Sequence, residues 1–340
     1  MRRLRTIMVA VCVAAATGTA AIAGTIEATL VVGGGADQLV GDGNSSWVIW
    51  SANSPDHRNH YDARARSIKG GDAFKMNAPH TVGYTGDING ETTEAAYQQV
   101  SGRSANIFLY DLEARTRTSA GRVVNTELWE WMPSISPGYI LFGRNNFSRA
   151  GAPWRIVLYD READATRVLD TVTNECGCFF PGQVSDEYAT WTNCEGTRCQ
   201  AWYYDIAADE IHKVPNPLNK YQYSPGVSEV TGDLYFVRSG DACGQNVRLV
   251  RWDPVAGGAA VIVSAHPSGY DVFGPVRVFD DTGGHQDVFL DRYECGGRFY
   301  GDVYGVNDAD TAGIGRLPAG RSARASGSKR HAPLGATPGG

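Results

Sequence analysis

Ile107-Phe108-Leu109-Tyr110-Asp111 reads as an apolar strand closed by an aromatic-Asp dipeptide. The same ending returns in Ile156-Val157-Leu158-Tyr159-Asp160, in Trp202-Tyr203-Tyr204-Asp205 and in Leu249-Val250-Arg251-Trp252-Asp253. The four aspartates stand 49, 45 and 48 residues apart. A period of that length with several short strands inside it is the signature of a β-propeller, because one four-stranded blade cannot bury both faces alone and must stack in a ring. A two-sheet sandwich requires no such repeat.

The period around Asp160 shows the order of elements within a blade. Pro133-Ser134-Ile135-Ser136 reads as a short innermost strand, Tyr139 to Arg144 as the second, Arg155 to Tyr159 as the third and Thr166 to Leu169 as a polar outer edge. Gly138 and the acidic stretch Asp160 to Asp164 supply the turns. The same grammar places blades near 79–123, 124–172, 173–216, 217–265 and 266–306, and Trp47 to Trp50 followed by Ala63 to Arg66 begins a divergent first blade. The expectation is an all-β, six-bladed propeller of four-stranded antiparallel blades. Its last blade lacks an outer strand after Asp302 to Val306, and Ile26 to Val32 is an orphan apolar strand near the other end, so pairing the two would close the ring and cover an open edge.

Around the ring, residues 1–23 read as a secretory signal peptide: Arg2, Arg3 and Arg5, then an apolar run ending Ala21-Ile22-Ala23, with the cut expected before Gly24. Retention of that run as an anchor is the competing reading; with cleavage, no stable membrane insertion is expected. Residues 24–306 form the propeller, and 307–340 are a basic tail rich in Gly, Ser, Pro and Arg whose composition cannot repay the entropy of ordering. The net charge of −6 understates the acidity of the ring, since both flanking segments are basic. An acidic ring excludes a nucleic-acid platform, which needs cations to displace phosphate counterions. Cys176, Cys178, Cys194, Cys199, Cys243 and Cys295 are an even set in a chain bound for an oxidising compartment and read as up to three disulfides of unassigned pairing; a four-thiolate zinc site at the first four is the rival.

The aromatic-Asp strand ends, the Pro-Ser-Ile-Ser inner strand after a Trp-rich approach and the Ile-Leu-Phe-Gly-Arg strand that follows resemble the TolB-like six-bladed β-propellers, in a secreted bacterial form. The resemblance covers nearly all of the ring. It implies a scaffold that binds proteins, or that accompanies a hydrolase domain in some members, and it carries no specific binding residue over to this chain.

Topology puts the loop entering each innermost strand and the loop joining second to third strands on one face. All six cysteines fall in such loops, where they would staple long connections or hold a rigid rim for a ligand. The segments expected to enter the inner strands on that face are aromatic: Trp129-Glu130-Trp131, Phe179-Phe180, Tyr221-Gln222-Tyr223 and Tyr270-Asp271-Val272-Phe273. As a set they would line an acidic funnel for a glycan, peptide or protein partner in the cell envelope or outside it, with Glu130 and Asp271 accepting hydrogen bonds; singly, each ring is as readily packing between blades. The alternative is an extracellular hydrolase or lyase acting on polysaccharide, with Glu130 and Asp271 as acid and base. No nucleophile elbow or triad emerges, so no catalytic residue is assigned. His57 and His60 match no zinc motif, and the turns Asp87 to Glu91 and Asp280 to Gly284 read as solvated rather than as calcium loops. No metal and no cofactor is expected.

Overall fold

The computed structural model describes residues 29–32, 38–53, 60–90, 92–146, 151–172, 180–195, 198–240, 247–257, 261–265, 270–280, 286–294 and 302–307. Their regular structure is entirely strand. The first blade runs β2 (Gln38–Gly43), β3 (Trp47–Asn53), β4 (Tyr61–Ser67) and β5 (Phe74–Lys75), after β1 (Thr29–Val32). The second is β6 (Val82–Ile88), β7 (Glu94–Ser101), β8 (Ser104–Asp111) and β9 (Thr116–Ser119), and the third β10 (Trp129–Ile135), β11 (Tyr139–Asn145), β12 (Trp154–Asp160) and β13 (Ala165–Val172). The fourth is β14 (Phe180–Val184), β15 (Tyr188–Glu195), β16 (Arg198–Asp205) and β17 (Glu210–Lys213). The fifth is β18 (Tyr221–Val227), β19 (Leu234–Ser239), β20 (Arg248–Trp252) and β21 (Val261–Ala265). The sixth is β22 (Tyr270–Asp280), β23 (Gln286–Glu294) and β24 (Asp302–Asn307), completed by β1, which pairs antiparallel with β24 from Thr29 opposite Gly305. The ring is thus closed by the N-terminal strand.

The aromatic-Asp motif ends the third strand because its aspartate builds the turn that follows. Asp111 Oδ1 accepts from the N–H groups of Glu113 and Ala114, Asp160 Oδ1 from Glu162 and Ala163, and Asp253 Oδ1 from Val255 and Ala256, each at 2.8–3.0 Å. Four residues after the aspartate the chain passes through the left-handed region, at Arg115, Asp164, Asp209 and Gly257 (φ 54°, 47°, 60° and 61°), and enters the outer strand. A side chain that mimics a backbone turn is what Asp does well, and this fixes the short hairpin locally.

Six apolar clusters hold the blades together, one at each junction. Ile49, Ala63 and Met76 of the first blade meet Ile88, Tyr97 and Leu112 of the second. Leu141, Ile156 and Leu158 of the third meet Val184, Ala189 and Trp191 of the fourth. The seam between last and first blades is sealed by Phe279 and Val303 against Val48, Trp50 and Ala52. At the junction of the first and second blades the small Ala63 and Ala65 share a cluster with the large Tyr97, Tyr110 and Leu112, the interdigitation that close packing demands. The outer strands β9 and β17 are polar, β9 being exposed throughout, as edges that must not recruit another chain should be.

One expectation is corrected. The third blade's innermost strand begins at Trp129, not Pro133, because the Trp-Glu-Trp alternation continues the strand's two-residue period across Pro133. The strand absorbs the proline at a bulge between Trp131 and Ser134.

Candidate functional site

Every innermost strand carries a register shift at the same depth: after Leu39, Thr85, Trp131, Pro181, Tyr223 and Phe273. Two of these bulges put non-glycine residues in the left-handed region, Met132 at φ 46° and Ser224 at φ 54°. The strands converge so closely here that a Cβ on Gly86 would stand 2.1 Å from the carbonyl oxygen of Pro133, and one on Gly226 would stand 2.5 Å from that of Val276. Past each bulge one residue per blade comes to the axis: Asp42, Asp87, Ser134, Gln183, Gly226 and Arg277. All are buried.

The side chains of the first four stitch each blade to the next. Asp42 Oδ2 accepts from Ile88 N at 2.8 Å, Asp87 Oδ2 from Ile135 N at 3.1 Å and from the Ser134 hydroxyl, and Ser134 Oγ from Val184 N at 2.8 Å. Gln183 Oε1 accepts from Val227 N at 3.2 Å and, reaching over side-chain-less Gly226, from Val278 N at 2.8 Å, while its Nε2 donates to Val278 O at 2.9 Å. Arg277 crosses the axis. Its guanidinium donates to the carbonyls of Gly86 (3.0 Å), Gly182 (2.7 Å) and Pro133 (3.3 Å), and its Nε lies 3.8 Å from Asp87 Oδ1. The bulges turn those three carbonyls inward. Burial, then the neighbouring Asp87 charge, hold the Asp42 carboxyl well above the usual carboxylate range despite Arg277. Asp87, expected in a solvated turn, is instead fully buried at the axis. The ring is closed at this level by a polar plug.

The aromatic segments lie above the plug on the face that carries the second-to-third turns and the linkers between blades. They are the first halves of the inner strands rather than loops, so alternate residues face opposite ways. Trp129, Phe180, Tyr221 and Tyr223 are half-buried. Trp131 is buried between the third and fourth blades, edge-on to Trp154 and Phe180 at 5.3 and 5.9 Å and seated over Gly143, where a Cβ would stand 2.3 Å from its ring. Glu130 is a correction: it is 0% exposed and does not reach an open wall. Its Oε1 accepts from the Thr126 hydroxyl at 2.6 Å and from Arg144 Nε at 3.1 Å. Arg144 in turn donates to the carbonyls of Val123 and Val124. Burial raises the Glu130 carboxyl above its ordinary value even beside Arg144. Gln222 does the same service in the fifth blade, fully buried and donating to Pro215 O at 3.0 Å. The acid and the amide between paired aromatics thus fasten the linker from the preceding blade. Phe179 lies outside the described residues, as do the side chains of Tyr270 and Asp271.

Of the six cysteines, Cys194 and Cys199 form a disulfide across the β15–β16 hairpin, their Cα atoms 3.9 Å apart. This staples the second-to-third turn of the fourth blade and rules out those two thiols as zinc ligands. Cys176, Cys178, Cys243 and Cys295 lie outside the described residues.

No family model and no curated protein matches this chain. Solved structures do. TolB from Acinetobacter baumannii aligns over 78% of this chain and 64% of its own, at 14% identity and a TM-score of 0.52. The β-propeller domain of the Trilobed protease from Pyrococcus furiosus aligns over 84% of this chain and 95% of its own, at 10% identity and a TM-score of 0.50. This chain therefore spans under two thirds of the TolB length. At such identities the likeness shows the fold alone: the protein has a TolB-like β-propeller fold. The Pyrococcus domain is described as an open velcro, whereas here β1 closes the last blade.

Proposed function

We propose that the protein is a binding or scaffold propeller of the cell envelope or the extracellular space, recognising a glycan, peptide or protein partner on the face above the axial plug. The observation that carries this reading is the set of half-buried aromatics, Trp129, Phe180, Tyr221 and Tyr223, held on strands cross-braced by Arg277 and Gln183. Phe179, Tyr270 and Asp271 belong to the same entering segments. Flat rings on rigid strands supply contact area at little conformational cost, so a partner meets a preformed surface. Glu130, the candidate acid or base of the hydrolase reading, is engaged by Arg144 and Thr126, and this favours recognition over turnover at that residue. The Cys194–Cys199 bridge supports an oxidising compartment.

The test is an array of glycans, cell-wall fragments and peptides probed with the purified, oxidised protein while substrate consumption is followed in the same wells. Saturable binding without product, lost in a Trp129→Ala/Tyr221→Ala double variant, is the expected result. Product formation would replace this reading with that of a polysaccharide hydrolase or lyase.

A further inference from the structure

On the same face, but away from the axis, a cavity of about 150 Å³ opens between the stapled β15–β16 hairpin, the outer strand β17 and the linker into β18. Three cations line it, Arg198, Lys213 and Lys220, and no acidic side chain is among its described lining residues, in a chain whose acids outnumber its Lys and Arg by 37 to 31. Like charges drawn together repel, and in an acidic protein they persist where an arriving anion offsets the repulsion. No described carboxylate pairs with Arg198 or Lys220; Glu195 stands opposite Arg198 in the hairpin register, and its side chain lies outside the described residues.

The walls are held in place before any ligand arrives. Asn216 brackets Lys220, its Nδ2 donating to Lys220 O at 2.6 Å and its Oδ1 accepting from Lys220 N at 3.0 Å. Asn219, left-handed at φ 50°, donates its N–H to Asn216 O at 3.0 Å and accepts from the Arg198 guanidinium at 2.9 Å. The Lys213 ammonium lies 4.5 Å from the centre of the Trp202 ring. The disulfide fixes Cys199 beside Arg198. So the linker, the hairpin and the outer strand converge as one rigid rim.

We infer that this cavity is a subsite for a carboxylate-bearing sugar, a uronic acid residue. The cations select the carboxylate, since charge-assisted hydrogen bonds are the strong ones. Asn193 gives its amide nitrogen to Asp170 Oδ2 at 2.8 Å and Asn219 gives its oxygen to Arg198, so the Asn193 oxygen and the Asn219 amide nitrogen face the ligand as one acceptor and one donor, which suits ring hydroxyls rather than a bare oxyanion. The volume lies below the roughly 300–1,000 Å³ of pockets for drug-sized ligands and admits a single ring. The inference does not depend on the aromatic set near the axis.

The experiment is calorimetric titration of the oxidised protein with glucuronic acid, glucose, inorganic sulfate and a Glu-Glu dipeptide, repeated with Arg198→Gln/Lys220→Gln and with Trp129→Ala. Glucuronate is expected to bind at least tenfold more tightly than the other three. The double variant should lose that affinity at least tenfold with an unchanged melting temperature, and Trp129→Ala should keep it. Silence with glucuronate, equal binding of glucose, equal binding of sulfate or tighter binding of the dipeptide would each overturn the inference. Loss of glucuronate binding in Trp129→Ala would move the ligand to the axial aromatics and likewise overturn it.

Discussion

Arg277 shows how much of this ring depends on one side chain. It is fully buried, it answers three carbonyls that the bulges turn inward, and it balances Asp87. Removing one partner from a buried charged network leaves the others desolvated and unanswered, at a cost of about 3–5 kcal/mol. Arg277→Met should therefore lower unfolding stability by about that amount in urea melts, whereas a surface cation such as Arg103 should change it by less than about 0.5 kcal/mol. Asp42 makes a different prediction. Its folded-state pKa lies above the unfolded value, so its contribution is complete below the ordinary carboxylate range and is lost as pH rises through the raised folded value. Asp42→Asn keeps an acceptor for Ile88 N and removes the proton from the balance. The variant's stability should fall less than the wild type's between pH 4 and 8, and it should be the more stable of the two at the alkaline end. Glu130 shifts in the same direction, so some slope remains. Parallel stability curves would contradict the assignment. None of the axial residues was legible in the sequence: Asp, Asp, Ser, Gln, Gly and Arg share a place in space but no chemistry, and only the folded ring aligns them.

At the scale of elements, what could be read was what is local. The aromatic-Asp ending is visible because one aspartate, with the two N–H groups just after it, makes the whole turn. Asp160→Ala should loosen that hairpin and cost about 1 kcal/mol of stability, with faster amide exchange confined to β12 and β13. An unchanged exchange pattern would mean that strand pairing alone holds the turn. The Trp-Glu-Trp and Tyr-Gln-Tyr stretches were half legible. Their aromatic character pointed to the right face, but the strand period that turns Glu130 and Gln222 away from their neighbours, toward the linkers at Val123–Val124 and Pro215, followed from a bulge that tolerates proline inside the strand. The Cys194–Cys199 pair was legible as a candidate only, since six cysteines allow many pairings until Cys194 and Cys199 are seen directly opposite each other on a hairpin. Reducing it should cost about 2 kcal/mol for so short a loop.

For the whole molecule, ring closure is the decisive contact. β1 covers the edge of β24 and so completes the sixth blade, and the seam is sealed by Phe279 and Val303 against the first blade. Removing residues 29–32 should expose that edge, lower the melting temperature and make the protein associate in a concentration-dependent way; a monomer of unchanged stability would show that the apolar seam suffices. Closure and the axial plug together make the upper face rigid, and rigidity is what the proposed recognition uses. The most direct measurement is hydrogen exchange by mass spectrometry of the protein with and without the tightest ligand found on the array. The account predicts protection at the entrances of the inner strands, around 129–131 and 221–223, with the outer strands at 116–119 and 165–172 unchanged. Protection confined to those outer strands would contradict it, placing the partner on the rim of the blades and leaving the aromatic face without a ligand.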